Sequence, residues 1–317
     1  MDVMLIPAAA QLLHIPDGFL SLIISLVCWG ITAVFLTLAI RNAQEAFDER
    51  LVPLAGIMAA FIFAGQMINF PVAGGTSGHL VGATLAFIVL GPSLGLLAMA
   101  AVIILQALLF QDGGLVVMGA NLIVMGIVPG YAGYTIYQFW HKRNGRLQMI
   151  GAGVGAWIAI MLAALVTALL LGFSGTTSLA IAIPAMLGVH ALIGIGEALI
   201  TVAALAFIRQ TRPQLLNREE GGQASSGWIA GGIAVAILVA LLSPLASASP
   251  DGLESVAEQA GFLGAAQDAP FQLLPDYTIP FLGNGGASTI VAGIVGVLVV
   301  AGLMYTLTRN LRKSEHH

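Results

Sequence analysis

Apolar runs long enough to cross a bilayer follow one another along most of the chain. They lie at about Phe19–Ile40, Leu51–Ile68, His79–Phe110, Leu115–Trp140, Leu147–Leu171, Ile181–Ile208, Trp228–Leu245 and Thr289–Thr308. About 20 apolar residues span the hydrocarbon as a helix, and in lipid only helices and closed barrels satisfy their own backbone hydrogen bonds. Only 8% of the 317 residues are charged, against about 25% in soluble domains. The chain therefore reads as an all-α integral membrane protein, multi-pass, in the plasma (inner) membrane.

The basic residues orient it. They form four groups: Arg41 and Arg50; Lys142, Arg143 and Arg146; Arg209, Arg212 and Arg218; Arg309, Arg312 and Lys313. Together these are all 11 Lys and Arg residues, and such clusters collect on the cytoplasmic side. All four groups share that side only if the run from His79 to Phe110 crosses twice. Gly91-Pro92 supplies the break, because proline disfavours helix at the residue before it. The expected topology is nine crossings, with the N-terminus outside and the C-terminus inside. Seven form a first bundle, and two follow the polar linker at 211–227. The crossing from His79 to Leu90 is then only about 18 Å long at about 1.5 Å per residue. Its start must lie below the outer surface, so the loop before it dips into the bundle.

That loop, Asn69 to His79, is polar and rich in glycine. At membrane depth such a segment is costly unless it is buried in protein or lines a wet cavity. It is therefore a candidate site, with His79 as a ligand and Asn69, Gly74, Gly75, Thr76 and Ser77 as supporting residues. Six histidines are present. His141 sits in a basic cluster as a surface anchor, and His316 and His317 end the chain. His14, His79 and His190 remain, all in the outer half of the expected topology. Imidazole is a common ligand for nickel, cobalt, copper and zinc. A single cysteine, Cys28, excludes an internal disulfide and a thiolate cluster. His190 reads as a structural side chain. Glu197 lies two helical turns further on the same face, so His190 and Glu197 are expected to form a buried polar pair.

Other features bound the function. Neither Lys142 nor Lys313 follows a glycine, so no phosphate-binding loop of the Gly-Lys-Ser/Thr kind is present, and no nucleic-acid partner is expected. The outer connections carry Asp2, Asp17, Asp112, Asp251, Glu254, Glu258, Asp268 and Asp276. This surface would attract cations, or it simply mirrors the positive-inside bias. The acidic segment 247–288 is too long for a tight helix connection. Gly75-Thr76-Ser77-Gly78 and Gly172-Phe173-Ser174-Gly175 share the Gly-x-Ser-Gly form of an intramembrane serine protease, with His190 as a base. A stand-alone metal channel is a third class.

His14-Ile15-Pro16-Asp17-Gly18-Phe19-Leu20, together with Pro71-Val72-Ala73-Gly74-Gly75-Thr76-Ser77-Gly78-His79-Leu80, resembles the CbiM/NikM family. These are the metal-capture components of energy-coupling-factor transporters for cobalt and nickel. The likeness continues through Gln106–Leu115, Gly119-Ala120-Asn121 and His190–Glu197, and covers residues 14–210. Pro250-Asp251-Gly252-Leu253-Glu254, with Pro275-Asp276-Tyr277, resembles the small NikN-type accessory subunit, here fused as a module at 228–317 containing the acidic loop 247–288. The resemblance implies capture of Ni(II) or Co(II) as cargo, with no resident cofactor. It implies a transmembrane coupling subunit and cytoplasmic ATPase subunits as partners. It also implies four nitrogen ligands: the His14 ring and backbone nitrogen, the His79 ring, and a terminal amine on Leu13. Here twelve residues precede Leu13 as an extension at 1–13. Cleavage before Leu13, a different translation start, or a different ligand set are the alternatives.

Overall fold

A computed structural model of the chain describes residues 14–213, 215, 226–283 and 285–311. Leu13 and the rest of the extension 1–13, Arg218 within the linker, Asn284, and the C-terminal Arg312, Lys313, His316 and His317 lie outside the described residues.

The fold is mostly helical, and its helix ends follow local chemistry. Helix α1, Leu22–Glu45, starts at Ser21, whose hydroxyl accepts the Ile24 N–H. After α2, Leu51–Gln66, the chain forms a hairpin of β1, Phe70–Val72, and β2, Thr76–Gly78. The pairs are Phe70 with Gly78, Pro71 with Ser77 and Val72 with Thr76. The expected loop is thus a short antiparallel ribbon in an otherwise helical chain. Gly74 and Gly75 turn it at φ +81° and +75°. Their lack of a β-carbon makes these left-handed conformations accessible.

The break at Gly91-Pro92 is present. Helix α3, Ala83–Leu90, ends at Gly91 with φ +82°, and α4, Pro92–Leu105, begins with proline at its first position. All eight residues of α3 are buried. It starts four residues later than expected, because His79–Gly82 is not helical. Helix α4 runs into a π-helical turn, Gln106–Phe110. Helix α5, Met118–Leu122, passes through a second π-turn, Ile123–Ile127, into α6, Val128–Trp140. Helices α7, Gly145–Phe173, and α8, Leu179–Thr211, pack along each other. Asn144 caps α7 by accepting the Leu147 N–H at 3.1 Å.

The C-terminal part contributes α9, Ser226–Leu241, the short α10, Gly252–Ala260, and α11, Gly286–Leu311. Helices α9 and α11 pack against α2. Glycines allow close approach: a β-carbon at Gly296 would lie 2.1 Å from the Phe63 ring. The centre of the molecule is α2, α3, α4 and the stretch through both π-turns. Helices α1, α8, α9 and α11 leave apolar side chains such as Ile23, Leu199, Leu238 and Leu298 exposed. Such a surface suits lipid rather than water.

Six helices among the described residues are long and apolar enough to cross a membrane. They are Leu22–Glu45, Pro92–Phe110, Gly145–Phe173, Leu179–Thr211, Gly227–Leu245 and Gly286–Leu311. The other three expected crossings fall on α2 with 16 residues, α3 with 8, and the π-bulged α5–α6 stretch. The described residues of the acidic segment at 247–288 are folded, and they pack onto the hairpin, α8 and the π-turn Gln106–Phe110.

Candidate metal centre

The segment beginning at His14 lies in a backbone clasp. Asn121 of α5 accepts the Ile15 N–H at 3.0 Å and donates to the Ile15 carbonyl at 3.0 Å. The Gly114 N–H also donates to that carbonyl, at 2.9 Å. Asp17 accepts the N–H groups of Leu115, Val116 and Val117 at 2.9, 2.9 and 3.1 Å. A carboxylate suits these unpaired amides just ahead of α5. The fit leaves no room: a β-carbon at Gly113 would meet the His14 β-carbon at 2.9 Å, and one at Gly114 would meet Asp17 at 2.3 Å.

The clasp buries His14 to 2% exposure and points its ring Nδ1 at Asp112 Oδ1, 2.6 Å away. Asp112 Oδ2 accepts the Tyr277 hydroxyl at 2.6 Å, and the Tyr277 oxygen accepts Gln106 Nε2 at 3.0 Å. A carboxylate oxygen that accepts leaves the hydrogen on Nδ1. The His14 Nε2 is then the acceptor nitrogen, and it is buried with no hydrogen-bond partner. Burial, together with the Asp112 charge, pushes the Tyr277 phenol well above its usual range.

His79 follows the hairpin and is also buried. Its Nδ1 is 3.0 Å from the Leu80 carbonyl. The next residues are held by two neighbours. Glu197 of α8 accepts the Val81 and Gly82 N–H groups at 2.7 and 2.9 Å, and Gln66 donates to the Val81 carbonyl at 2.8 Å. The ring centres of His14 and His79 are 6.0 Å apart, with planes inclined at 38°. Metal–nitrogen bonds of about 2.0–2.1 Å, with about 1.2 Å from ring centre to nitrogen, allow two ring centres up to about 6.5 Å apart across one ion. The observed separation fits within that limit.

Both rings line a cavity of about 80 Å³, room for an ion and one or two waters at about 30 Å³ each. His190, Asn121, Thr167 and Asp251 line it too. His190 is half-buried and donates from Nδ1 to the Met186 carbonyl at 2.8 Å. The expected pairing of His190 with Glu197 does not form. Two turns, about 10.5 Å, separate their backbones, and Glu197 is taken by the bare amides ahead of α3. His190, read from the sequence as structural, instead faces the cavity of His14 and His79.

The hairpin residues divide. Gly74 and Gly75 are exposed at the tip, with nothing near them. Thr76, Ser77 and Asn69 are buried, and they bind the C-terminal segment rather than the cavity. The Ser77 N–H donates to the Pro250 carbonyl at 2.8 Å, and its hydroxyl to the Ser249 carbonyl at 2.8 Å. The hydroxyls of Thr76 and Ser255 are 3.1 Å apart, and the Asn69 carbonyl accepts the Ser247 N–H at 2.8 Å. With the Ser77 hydroxyl on backbone carbonyls and His190 on Met186, no serine–histidine pair forms there. The Ser174 hydroxyl is buried without a partner.

The outer carboxylates divide: Glu258, Asp268 and Asp276 are exposed, but the others among the described residues turn inward. Asp17, Asp112 and Asp251 are held by hydrogen bonds inside the fold. Asp251 caps α10 by accepting the Glu254 N–H at 2.7 Å. Burial, reinforced by the charges of Glu254 and Asp112, pushes its carboxyl up to about 7, against the pull of the Glu254 N–H and His14.

Comparison with known proteins places these features in context. The family model described as "cobalt uptake substrate-specific transmembrane region" matches residues 14–215, and a PDGLE domain model matches residues 226–313. The chain is 38% identical over 304 residues to a putative fused nickel transport protein NikMN of Archaeoglobus fulgidus, covering 95% of this chain and 99% of that one. It is 30% identical over 264 residues to a cobalt transport protein CbiM of Geobacter sulfurreducens, covering 78% and 75%. A solved structure of a truncated transition metal transporter aligns at TM-score 0.57 and 34% identity, covering 62% of this chain and 98% of that one.

Proposed function

The chain belongs to the cobalt uptake substrate-specific transmembrane family, with a PDGLE domain behind it, and from that premise we propose that it captures Ni(II) or Co(II) at the outer face for inward delivery. One observation carries the reading. The buried, unpartnered Nε2 of His14 belongs to a ring that lines, together with His79, one cavity. A lone imidazole acceptor buried without a donor is costly unless something fills its lone pair, and a borderline transition-metal cation does so well. His14 and His79 are the proposed ligands. Relatives matched along almost the whole chain are named for nickel, which favours nickel as the cargo.

The ring geometry bears on the ligand set. A histidine chelates through its own backbone nitrogen and ring most readily by way of Nδ1, which closes a six-membered ring. The His14 Nδ1 is engaged by Asp112, so we assign Nε2 as its ligand atom. A terminal amine on Leu13 would add a ligand only where Leu13 is residue one. Further nitrogen or water ligands complete the coordination.

The domain plan follows: a seven-crossing capture bundle at 14–210, a linker at 211–227 and a two-crossing module at 228–317, with the N-terminus outside and the C-terminus inside. Lacking a phosphate-binding loop of its own, the bundle draws energy from partner ATPases through a transmembrane coupling subunit. The test is nickel titration calorimetry on the purified chain and on His79→Ala. The variant should lose tight binding; wild-type affinity would overturn the assignment. Uptake in cells that persists without any ATPase subunit would make the chain a channel instead.

A further inference from the structure

Tyr277 sits 165 residues from Asp112, on the far side of the linker, yet it touches the first bundle at a particular point. Its ring stacks on Phe110 at 4.6 Å and 15°. A phenylalanine would stack and fill the space equally well. What the hydroxyl adds is one buried donor, given to Asp112, and one acceptor, filled by Gln106 from the π-turn. The backbone is unusual as well: Asp276 and Tyr277 have φ of +50° and +56°. Non-glycine residues in the left-handed region cost about 1 kcal/mol or more each and persist where the surroundings fix them. The chain accepts that conformation at the residue whose oxygen reaches Asp112.

Asp112 has two oxygens and uses each once, one for Tyr277 and one for His14. All three side chains are buried. Without the phenol, the carboxylate loses one of its two anchors and is free to turn about its own axis. The Nδ1–H of His14 then has no fixed acceptor, and neither the ring orientation nor the position of its Nε2 is any longer set. Partners of metal-bound histidines act in this way, fixing ring orientation and tautomer, and their loss weakens metal binding about 10–100-fold.

We propose that Tyr277, supplied by the C-terminal module, is a positioning residue for metal capture: its hydroxyl anchors Asp112, and Asp112 orients the His14 ring. The fused module thereby sets the cargo affinity of the bundle through one hydroxyl. This rests on the capture reading above.

The experiment uses the full-length chain in detergent micelles, nickel chloride as the probe, and Tyr277→Phe, which keeps the stacked ring. Nickel affinity should fall at least about tenfold, and metal-free thermal unfolding should also move down, because Asp112 and Gln106 each lose a buried partner; affinities are therefore compared well below both unfolding transitions. In metal-free protein with 15N-labelled histidine, the His14 ring signals, assigned by difference against His14→Gln, should change from a single Nδ1–H tautomer to an exchanging pair. Asp112→Asn should lose affinity too, and the double variant should lose no more than the larger single loss, because both act through one ring. Wild-type affinity in Tyr277→Phe with unchanged His14 signals overturns the proposal, as does simple addition of the two losses. If wild type binds no nickel while Tyr277→Phe still alters the His14 tautomer, the nickel reading fails and the coupling stands.

Discussion

Replacing Asn121 by alanine tests whether the backbone clasp, rather than the ring alone, builds the metal centre. Asn121 is 1% exposed and its side chain makes two hydrogen bonds, both to the Ile15 backbone. Each contributes about 1 kcal/mol net. The Ile15 carbonyl keeps the Gly114 N–H, but the Ile15 N–H is left buried without an acceptor. An orphaned amide costs a further 1–3 kcal/mol or so, so the clasp should weaken by about 3 kcal/mol. If the binding-competent segment then opens freely, nickel affinity falls by as much as about two orders of magnitude. Asn121→Asp keeps the acceptor for Ile15 but sets an oxygen against its carbonyl, and should lose a comparable amount. Titration calorimetry gives the affinity, and hydrogen exchange over residues 14–18 reports the opening. If Asn121→Ala binds nickel within about twofold of wild type with undiminished protection of Ile15, the clasp has no part in holding His14.

Two further outcomes depend on pH. Nickel binding should weaken as pH falls from 8 to 5, because imidazoles must be neutral to ligate; a flat profile would exclude His14 and His79 as ligands. Asp251 should act on stability in the opposite sense to an exposed, ion-paired carboxylate. Its folded carboxyl titrates near 7, whereas an unfolded aspartate titrates near about 3.9. Between those values the folded chain keeps a proton that the unfolded chain has released, so stability is greatest below about pH 4 and is lost as pH rises through 7. Asp251→Asn keeps the helix cap without the charge. Its metal-free melting temperature should therefore vary less between pH 5 and 8 than that of wild type, and equal slopes would show that burial of Asp251 does not govern the response.

Periodicity and local chemistry made part of this molecule legible. The positions of the helices follow from the apolar runs, and the Gly91-Pro92 break follows from proline sterics together with the distribution of charge. Segments that needed only hydropathy were therefore readable. Pairings across long stretches of sequence were not. His14 lies 98 residues from Asp112, and no pattern in either segment announces the other. Glu197 shares a helix face with His190, yet its carboxylate turns to the Val81 and Gly82 amides, whose need for an acceptor arises only once α3 begins where it does. Gly74 and Gly75 adjoin His79 in sequence, but a hairpin carries its turn away from its ends. The tyrosine in Pro275-Asp276-Tyr277 was visible as part of a motif. The use of its hydroxyl depends on a π-turn that brings Gln106 and Phe110 beneath it.

The docking of the C-terminal segment on Ser77 and Thr76 has a consequence for assembly. Because both partners lie on one polypeptide, the contact forms at an effective concentration that is on the order of millimolar for a short tether. Two separate polypeptides present at micromolar levels would meet about a thousandfold less readily through the same hydrogen bonds. Covalent attachment thus makes occupancy of the hairpin indifferent to how much of the protein a cell produces, and every copy carries its own partner in fixed one-to-one ratio.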